Sequence, residues 1–120
     1  MRIVFCGTPD YAVPSLLRLQ RLASAHKIVA IVSQPDKPKG RSKTPSPPPV
    51  VEAALKLGLA KDLIFQPRSI NRPGVLAALR SLAPDLLCVI AYGGLLKKEA
   101  LALPRLYPIK IGRASCRERV

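Results

Sequence analysis

The sequence predicts an α/β fold in which a parallel β-sheet carries helices on both faces. Four short apolar runs alternate with segments whose leucine and alanine residues recur at helical spacing. Such alternation is typical of parallel sheets, whose strands are buried on both faces by the crossover helices. A chain of 120 residues with 48% hydrophobic content has room for one domain with a substantial core.

The elements follow in the order strand, helix, strand, helix, strand, helix, strand and helix. Strands are predicted over residues 2–6, 27–32, 63–65 and 85–91, and helices over residues 13–22, 49–58, 73–82 and 97–103. Proline is tolerated in a first helical turn, so Pro49 can begin the second helix, and Gly58 is suited to end it. Right-handed crossovers place the first strand between the second and the fourth, which makes the sheet Rossmann-like.

Prolines and cations characterise residues 34–49. Six prolines in this stretch predict that it is neither strand nor helix interior. Lys37, Lys39, Arg41 and Lys43 occupy alternate positions, so an extended loop would present them as one row of cations. Together with the net charge of +13, this row favours a phosphate-rich partner such as nucleic acid; a solvated basic surface is the alternative.

The first strand-to-helix turn, residues 7–10, lacks the signatures of the common nucleotide-binding turns. It holds one glycine instead of G-x-G-x-x-G, and no Walker-type phosphate loop occurs in the chain. Binding of NAD or FAD is therefore not expected. From the residues alone, Gly7 indicates a tight turn, with Asp10 capping the helix that follows.

The fourth strand ends at Ala91, Tyr92 and Gly93, beside the turn at Gly7, where open α/β sheets usually bind ligands. The Tyr92 ring would either stack on a flat ligand or cover the edge of the sheet. The only histidine, His26, lies at the remote end of the sheet, and no serine–histidine–acid arrangement, metal cluster or carboxylate pair accompanies the crevice. The residues alone predict a binding crevice without catalytic machinery.

Hydropathy and the N-terminal residues predict a cytosolic protein. The longest apolar run, residues 86–92, suits a buried strand and is too short to span a membrane. The chain begins directly with a strand and shows no secretory leader. Cys6 and Cys88 lie within apolar strand patterns and are expected to pack in the core; with Cys116 they show no metal-like spacing.

Four segments, at family-like spacing, carry a specific resemblance. They read R-I-V-F-C-G-T-P-D-Y-A-V-P from residue 2, S-Q-P-D-K-P-K-G-R from residue 33, P-D-L-L-C-V-I-A-Y-G from residue 84 and L-P-R-L from residue 103. Through them, residues 1–109 resemble the N-terminal catalytic domain of the methionyl-tRNA formyltransferase family. The resemblance implies a monomeric cytoplasmic enzyme of translation initiation, with no metal and no membrane attachment. It would transfer a formyl group from 10-formyltetrahydrofolate to the methionyl amino group of initiator tRNA.

The resemblance also implies roles for particular residues. Those that would contact the acceptor arm of the tRNA are Lys37, Lys39, Arg41 and Lys43, with Arg41 at the most telling position. Those on the folate side of the crevice are Gly7, Thr8, Ala91, Tyr92 and Gly93. Two alternatives remain: a basic RNA-binding module with this fold and no chemistry, and a formyltransferase acting on a sugar nucleotide or another small amine.

The chain departs from the family pattern after residue 109. The family continues with asparagine, one residue and histidine, then an S-L-L-P run and a catalytic aspartate, whereas Lys110 and Gly112 stand at the asparagine and histidine positions here. Those groups orient the formyl carbonyl and handle the proton of the attacking amine, which lysine and glycine cannot do. We therefore assign no catalytic residue and expect the chain to be inactive. The fold is expected to be incomplete at its C-terminal side, with the fourth strand near an open, aggregation-prone edge.

Residues 110–120 are interpreted as a non-native tail. The codons ATC GGA AGA GCG TCG TGT AGG GAA AGA GTG encode residues 111–120 and match a common sequencing-library adapter, and its two preceding bases, AG, would complete the codon of Lys110. A genuine basic tail that binds nucleic acid is the alternative. Without Lys110, three arginines and one glutamate, the charge falls by three to +10 for residues 1–109, which remain strongly basic.

Overall fold

The structure, a computed structural model, describes residues 1–21, 26–38 and 44–111. Its strands are β1 (Arg2–Gly7), β2 (Lys27–Val32), β3 (Lys37–Pro38), β4 (Pro45–Ser46), β5 (Ile64–Phe65), β6 (Leu86–Ile90) and β7 (Tyr107–Ile111). Its helices are α1 (Val13–Arg21), α2 (Pro49–Lys56), α3 (Pro73–Ser81) and α4 (Lys98–Leu101), with 3₁₀ turns at Asp10–Ala12 and Lys61–Leu63. Every predicted strand and helix is present, with ends within two residues of those predicted; Leu22 lies outside the described residues.

Five strands form one parallel sheet in the order β5-β2-β1-β6-β7. β1 lies between β2 and β6, as the handedness of crossover connections predicts. In the pairing of β1 with β6, Phe5 is opposite Cys88 and Gly7 is opposite Ile90, so β1 and β6 end at the same edge of the sheet. The Rossmann-like α/β class is confirmed.

The sheet separates two hydrophobic layers. On one face, Leu16 of α1 and Val50 of α2 pack in the layer that contains Phe5. On the other face, Leu79 of α3 and Ala100 of α4 belong to a second layer. Because both faces are covered, β1, β2 and β6 are buried almost throughout, which explains why their sequences are continuous apolar runs without polar alternation.

The strand β7 corrects the expectation that the last predicted strand borders an open edge. β7 pairs in parallel with β6, with Ile109 opposite Cys88 and Lys110 opposite Val89. Its sequence gives little warning, because Pro108 and Lys110 interrupt an apolar run of five residues. Proline is tolerated in an edge strand, where its missing N–H need not complete a ladder. β7 therefore includes the first residues of the predicted tail, while residues 112–120 lie outside the described part of the chain.

The proline-rich segment also contains strand structure, contrary to the sequence-based expectation. β3 and β4 form a short antiparallel pair, with Lys37 opposite Ser46 and Pro38 opposite Pro45. Strands of two residues require few N–H donors, so their prolines do not prevent the pairing. Residues 39–43, between these strands, are outside the described residues.

Candidate functional site

Hydrogen bonds join the carboxyl ends of three neighbouring strands. The Thr8 hydroxyl, which follows β1, donates to the carbonyl oxygen of Tyr92, which follows β6, with Oγ1···O of 2.6 Å. Ser33, after β2, donates from Oγ to Thr8 Oγ1 at 3.5 Å, and the Gln34 side-chain amide donates to the same Tyr92 carbonyl at 3.4 Å. We call these four residues the crevice network. They fix the relative positions of the turns at which an open parallel sheet presents ligand-binding groups.

Gly7 permits the close approach of β1 and β6 at this edge. A Cβ atom at this position would lie 2.9 Å from Cε2 of Phe5 and 3.0 Å from the carbonyl oxygen of Ile90. Neither neighbour can move easily, because one belongs to the core and the other to the backbone of a central strand. Gly7 therefore has a packing role, and it brings Thr8 within reach of Tyr92.

Asp10 does not cap the following helix, contrary to the expectation from sequence. Pro9 occupies the capping position of the 3₁₀ turn that precedes α1, and no side chain caps that turn. The turn is closed by backbone, with the Ala12 N–H donating to the Pro9 carbonyl at 3.1 Å. Asp10 is exposed in the first turn, where a negative charge interacts favourably with the helix dipole.

Tyr92 is a core residue and is not available for stacking on a ligand. Its side chain is 2% exposed and packs in the layer that contains Cys6, Leu96 and Leu79. Burial, with a smaller contribution from Cys6, raises the pKa of Tyr92 to about 12. Within the described residues its hydroxyl is buried without a hydrogen-bond partner. Of the two alternatives for this ring, covering the sheet is therefore the one that the structure supports, and the backbone carbonyl serves the crevice.

The turn after β6 exposes backbone at the crevice. Ala91 and Gly93 have positive φ angles of 53° and 88°, and Gly93, Gly94 and Leu95 are all exposed. A Cβ on Gly94 would come within 2.7 Å of Tyr92 Cε2 and 3.0 Å of the Gln34 amide nitrogen. The space above this turn is thus bounded by glycine backbone and by Leu95, whose side chain is 60% exposed.

Asn71 fixes the far side of the same turn. Its Nδ2 donates to the Leu95 carbonyl at 2.9 Å, and its Oδ1 accepts the Lys97 N–H at 2.9 Å. The crevice network holds the near side through Tyr92, so the exposed glycines lie between two anchored points. Rigid backbone donors and acceptors beside one apolar side chain can bind a flat heterocycle through its edge and one face.

The proline-rich segment is attached to the same edge of the sheet. The Gln66 side-chain amide donates to the Gln34 carbonyl at 3.1 Å and to Oδ1 of Asp36 at 2.7 Å. The Val50 N–H, at the start of α2, donates to the Thr8 carbonyl at 3.3 Å. Lys37 is exposed on β3. The other predicted cations of this segment, Lys39, Arg41 and Lys43, lie outside the described residues.

Three titratable groups away from the crevice, Cys6, Cys88 and Asp85, have structural roles. Cys6 and Cys88 are free and buried, and burial raises the pKa of both thiols, with Cys88 adding to the effect at Cys6. Asp85, at the opposite end of the sheet, accepts hydrogen bonds from the Arg2 N–H and from Arg105 Nε, each at 2.9 Å. The Arg2 N–H first and Arg105 second lower the pKa of this carboxyl. In the described ranges no group of metal-ligating side chains occurs, and no helix is long and apolar enough to cross a membrane.

The structure brings together most of the residues predicted for the crevice. Gly7, Thr8 and Tyr92 meet there, and Ala91 and Gly93 shape the turn beside them. Four polar residues without a predicted role complete the arrangement: Ser33, Gln34, Gln66 and Asn71. The sequence gives one indication of Ser33, because this hydroxyl residue directly follows an apolar strand. Among the described residues, Ser33 is the polar residue that is buried.

Comparison with known proteins shows which family the chain resembles. A family model described as formyl transferase matches residues 1–112. The chain is 49% identical over 105 residues to the methionyl-tRNA formyltransferase of Acidothermus cellulolyticus, covering 88% of this chain and 31% of that protein. It is 47% identical over 104 residues to that of Xanthomonas campestris pv. campestris and 42% over 105 residues to that of Pelotomaculum thermopropionicum, covering 87% and 88% of this chain and 32% of each relative. The chain thus spans about a third of the length of these curated relatives.

Proposed function

The chain belongs to the formyl transferase family, and we propose that residues 1–109 form the N-terminal part of the catalytic domain of a methionyl-tRNA formyltransferase. The reaction of that enzyme would transfer the formyl group of 10-formyltetrahydrofolate to the methionyl amino group of initiator tRNA. The same proposal makes the protein a monomeric cytoplasmic component of translation initiation. Residues 110–120 are proposed to be a non-native tail, which sequencing of an independent clone would test.

The crevice at the ends of β1 and β6 supports the assignment of a folate site. Its principal observation is the 2.6 Å hydrogen bond from Thr8 to Tyr92, which joins the two turns that the family resemblance assigns to the folate side. The pterin ring of a folate is flat and carries donors and acceptors along its edge. Exposed backbone at Gly93 and Gly94, next to the exposed Leu95, suits such a ring. We propose that this turn holds the formyl donor, which supplies the one-carbon group.

The basic segment supports contact with the acceptor arm of the tRNA. Lys37 is exposed on β3, which pairs with β4, and Lys39, Arg41 and Lys43 follow on alternate positions of the sequence. Neutralising a phosphate backbone by such a row releases counterions, so affinity should fall steeply with salt. In a gel shift with initiator tRNA at two salt concentrations, Arg41→Ala should weaken binding more than Arg80→Ala, which removes an exposed arginine from α3. Equal effects of the two substitutions would remove the special role of Arg41.

Catalysis is not expected from the chain itself. Lys110 lies on β7 opposite Val89, and Gly112 follows directly after that strand in the sequence. Neither residue can supply both the hydrogen-bond donor for the formyl carbonyl and the base for the attacking amine. A formylation assay with 10-formyltetrahydrofolate and initiator Met-tRNA should show no turnover above background. Measurable turnover would contradict this part of the proposal.

A folate titration separates the proposal from an RNA-binding module without chemistry. A non-transferable analogue of 10-formyltetrahydrofolate should bind. Leu95→Ala should lower the affinity for this analogue about fivefold, because it removes part of the leucine side chain that would be buried against the ring. Leu55→Ala provides a matched control, since Leu55 is an exposed leucine of α2. Binding of tRNA without any binding of the analogue would favour the RNA-binding module, and binding of the analogue without tRNA would favour a small-amine formyltransferase.

A further inference from the structure

The side chain of Gln34 lies against the exposed backbone of the turn after β6. Its amide donates to the Tyr92 carbonyl at 3.4 Å. A Cβ atom on Gly94 would lie 3.0 Å from the nitrogen of this amide, and one on Gly93 would lie 3.7 Å from Cγ of the same side chain. The half-buried Gln34 therefore packs on the two glycines to which the formyl donor is proposed to bind.

The backbone of the same residue belongs to the start of the basic segment. Gln66, directly after β5, donates from Nε2 to the Gln34 carbonyl at 3.1 Å and to Oδ1 of Asp36 at 2.7 Å. Asp36 immediately precedes Lys37, which is exposed on β3. Pro35 restricts the short span between them, because proline fixes its own φ angle. A phosphate bound at Lys37 would therefore also immobilise the backbone of Gln34.

The hydrogen bond from Gln34 to Tyr92 leaves room to tighten. Its length of 3.4 Å exceeds the usual N···O distance of about 2.7–3.2 Å, whereas Thr8 Oγ1 lies 2.6 Å from the same carbonyl oxygen. Of the two donors to this carbonyl, the Gln34 amide is thus the more loosely held. Hydrogen bonds in active sites are often long before ligands bind and shorten in the complex.

We propose that Gln34 is a positioning residue that couples binding of the formyl donor to binding of the RNA partner. This inference rests on the two proposed sites. In one arrangement the Gln34 amide is bound to the Tyr92 carbonyl and packs on the glycines, and in the other it is released. A donor on the glycines favours the first arrangement directly, and a phosphate at Lys37 favours it through the backbone of residues 34–37.

The two ligands should therefore strengthen each other's binding. When one ligand orders a group that the other also needs ordered, the second ligand loses less conformational entropy, and binding is cooperative without a large structural change. The coupling is reciprocal, so each ligand raises the affinity for the other by the same factor. Gln66 takes part because its amide fixes both the Gln34 carbonyl and Asp36.

The test measures this factor with a non-transferable analogue of 10-formyltetrahydrofolate and a blunt RNA hairpin that carries the acceptor stem of initiator tRNA. At one fixed salt concentration, calorimetric titration of the complete chain should show that the saturating hairpin raises the affinity for the analogue about fivefold, at the lower end of the usual range for coupled sites. Fluorescence anisotropy of the hairpin with saturating analogue should give the same factor. The hairpin should also slow solvent exchange of the Gln34 side-chain amide protons in NMR spectra, and unchanged exchange would contradict the tightened hydrogen bond.

Three variants separate coupling from a general loosening of the turn. Gln34→Ala removes the contact with the glycines, and the isosteric Gln66→Glu replaces the donating amide by a carboxylate that repels Asp36, so each should bring the coupling factor close to one. Asn71 anchors the same turn from its far side, through the Leu95 carbonyl and the Lys97 N–H. Asn71→Ala should therefore weaken binding of the analogue and leave the coupling factor unchanged.

The outcomes distinguish the coupling from the proposed function. Binding of both ligands to the unmodified chain without any coupling would overturn the role of Gln34 and leave the two proposed sites standing. Coupling that survives both Gln34→Ala and Gln66→Glu, or that Asn71→Ala removes as well, would also overturn it. If the analogue or the hairpin fails to bind the unmodified chain, the proposed function fails together with the coupling.

Discussion

Substituting Gly7 by alanine tests whether the first turn is built for close strand packing. The added Cβ would lie 2.9 Å from Phe5 Cε2, 3.0 Å from the Ile90 carbonyl oxygen and 3.3 Å from Cβ of Ala12. Contacts below 3.0 Å require a shift, and here the obstacles are a buried ring and the backbone of β6. Overpacking of this kind costs about 1–3 kcal/mol. We expect Gly7→Ala to lower the free energy of unfolding by about 2 kcal/mol.

Gly74 provides the matched control for this substitution. It lies in the first turn of α3, and a Cβ there would meet nothing within 4 Å. Gly74→Ala should therefore stabilise the chain by about 0.5 kcal/mol through the reduced entropy of the unfolded state. Urea unfolding followed by circular dichroism should move the midpoint down by about 1 M for Gly7→Ala and slightly up for Gly74→Ala. A midpoint for Gly7→Ala at or above that of the unmodified chain would refute the packing argument.

Further predictions concern the crevice network, the turn after β6, the sheet end and the thiols. Thr8→Val should lower the free energy of unfolding by about 1 kcal/mol, because the Tyr92 carbonyl keeps only the longer bond from Gln34; no loss in urea unfolding would contradict this. Asn71→Ala removes the three hydrogen bonds of that side chain, to Ser69, Leu95 and Lys97, and should accelerate amide hydrogen exchange at Lys97, a change that a merely solvent-exposed asparagine would not cause. The lowered pKa of Asp85 means that its contribution to stability is present above the unfolded-state pKa of about 3.9 and is lost as the pH falls through the lower folded-state pKa. Asp85→Asn should therefore lower stability at neutral pH and flatten its decline below about pH 4, and an unchanged acid profile would argue against this role. Cys6 and Cys88 should resist a thiol reagent until the chain unfolds, which mass spectrometry of the labelled peptides would check.

The sheet could be predicted because its central strands are continuous apolar runs in the sequence. The sequence predicts β2 with its observed bounds, Lys27–Val32, because one uninterrupted apolar run stands between a cation and a serine. β7 could not be predicted in the same way, because Pro108 and Lys110 give its five residues the appearance of a loop. Its strand character depends on pairing with β6, which is a tertiary effect and leaves no local signal.

The crevice was predictable in place but not in detail. The rule that parallel strands end at a common edge brings Thr8 and Tyr92 together although 84 residues separate them. The contacts of Gln34 with Tyr92 and of Asn71 with Leu95 span 58 and 24 residues, and nothing local marks either amide as a partner. Polar residues that reach across the fold become visible only when the backbone positions are known.

The most direct test of the proposed formyl-donor site is an amide NMR titration of the isotopically labelled chain with a non-transferable analogue of 10-formyltetrahydrofolate. We expect saturable shifts that are largest at Thr8, Gly93 and Leu95, with little change in β3 and β4. These residues lie on the two turns that the 2.6 Å hydrogen bond joins. Absence of saturable shifts, or shifts confined to residues away from this edge of the sheet, would contradict it.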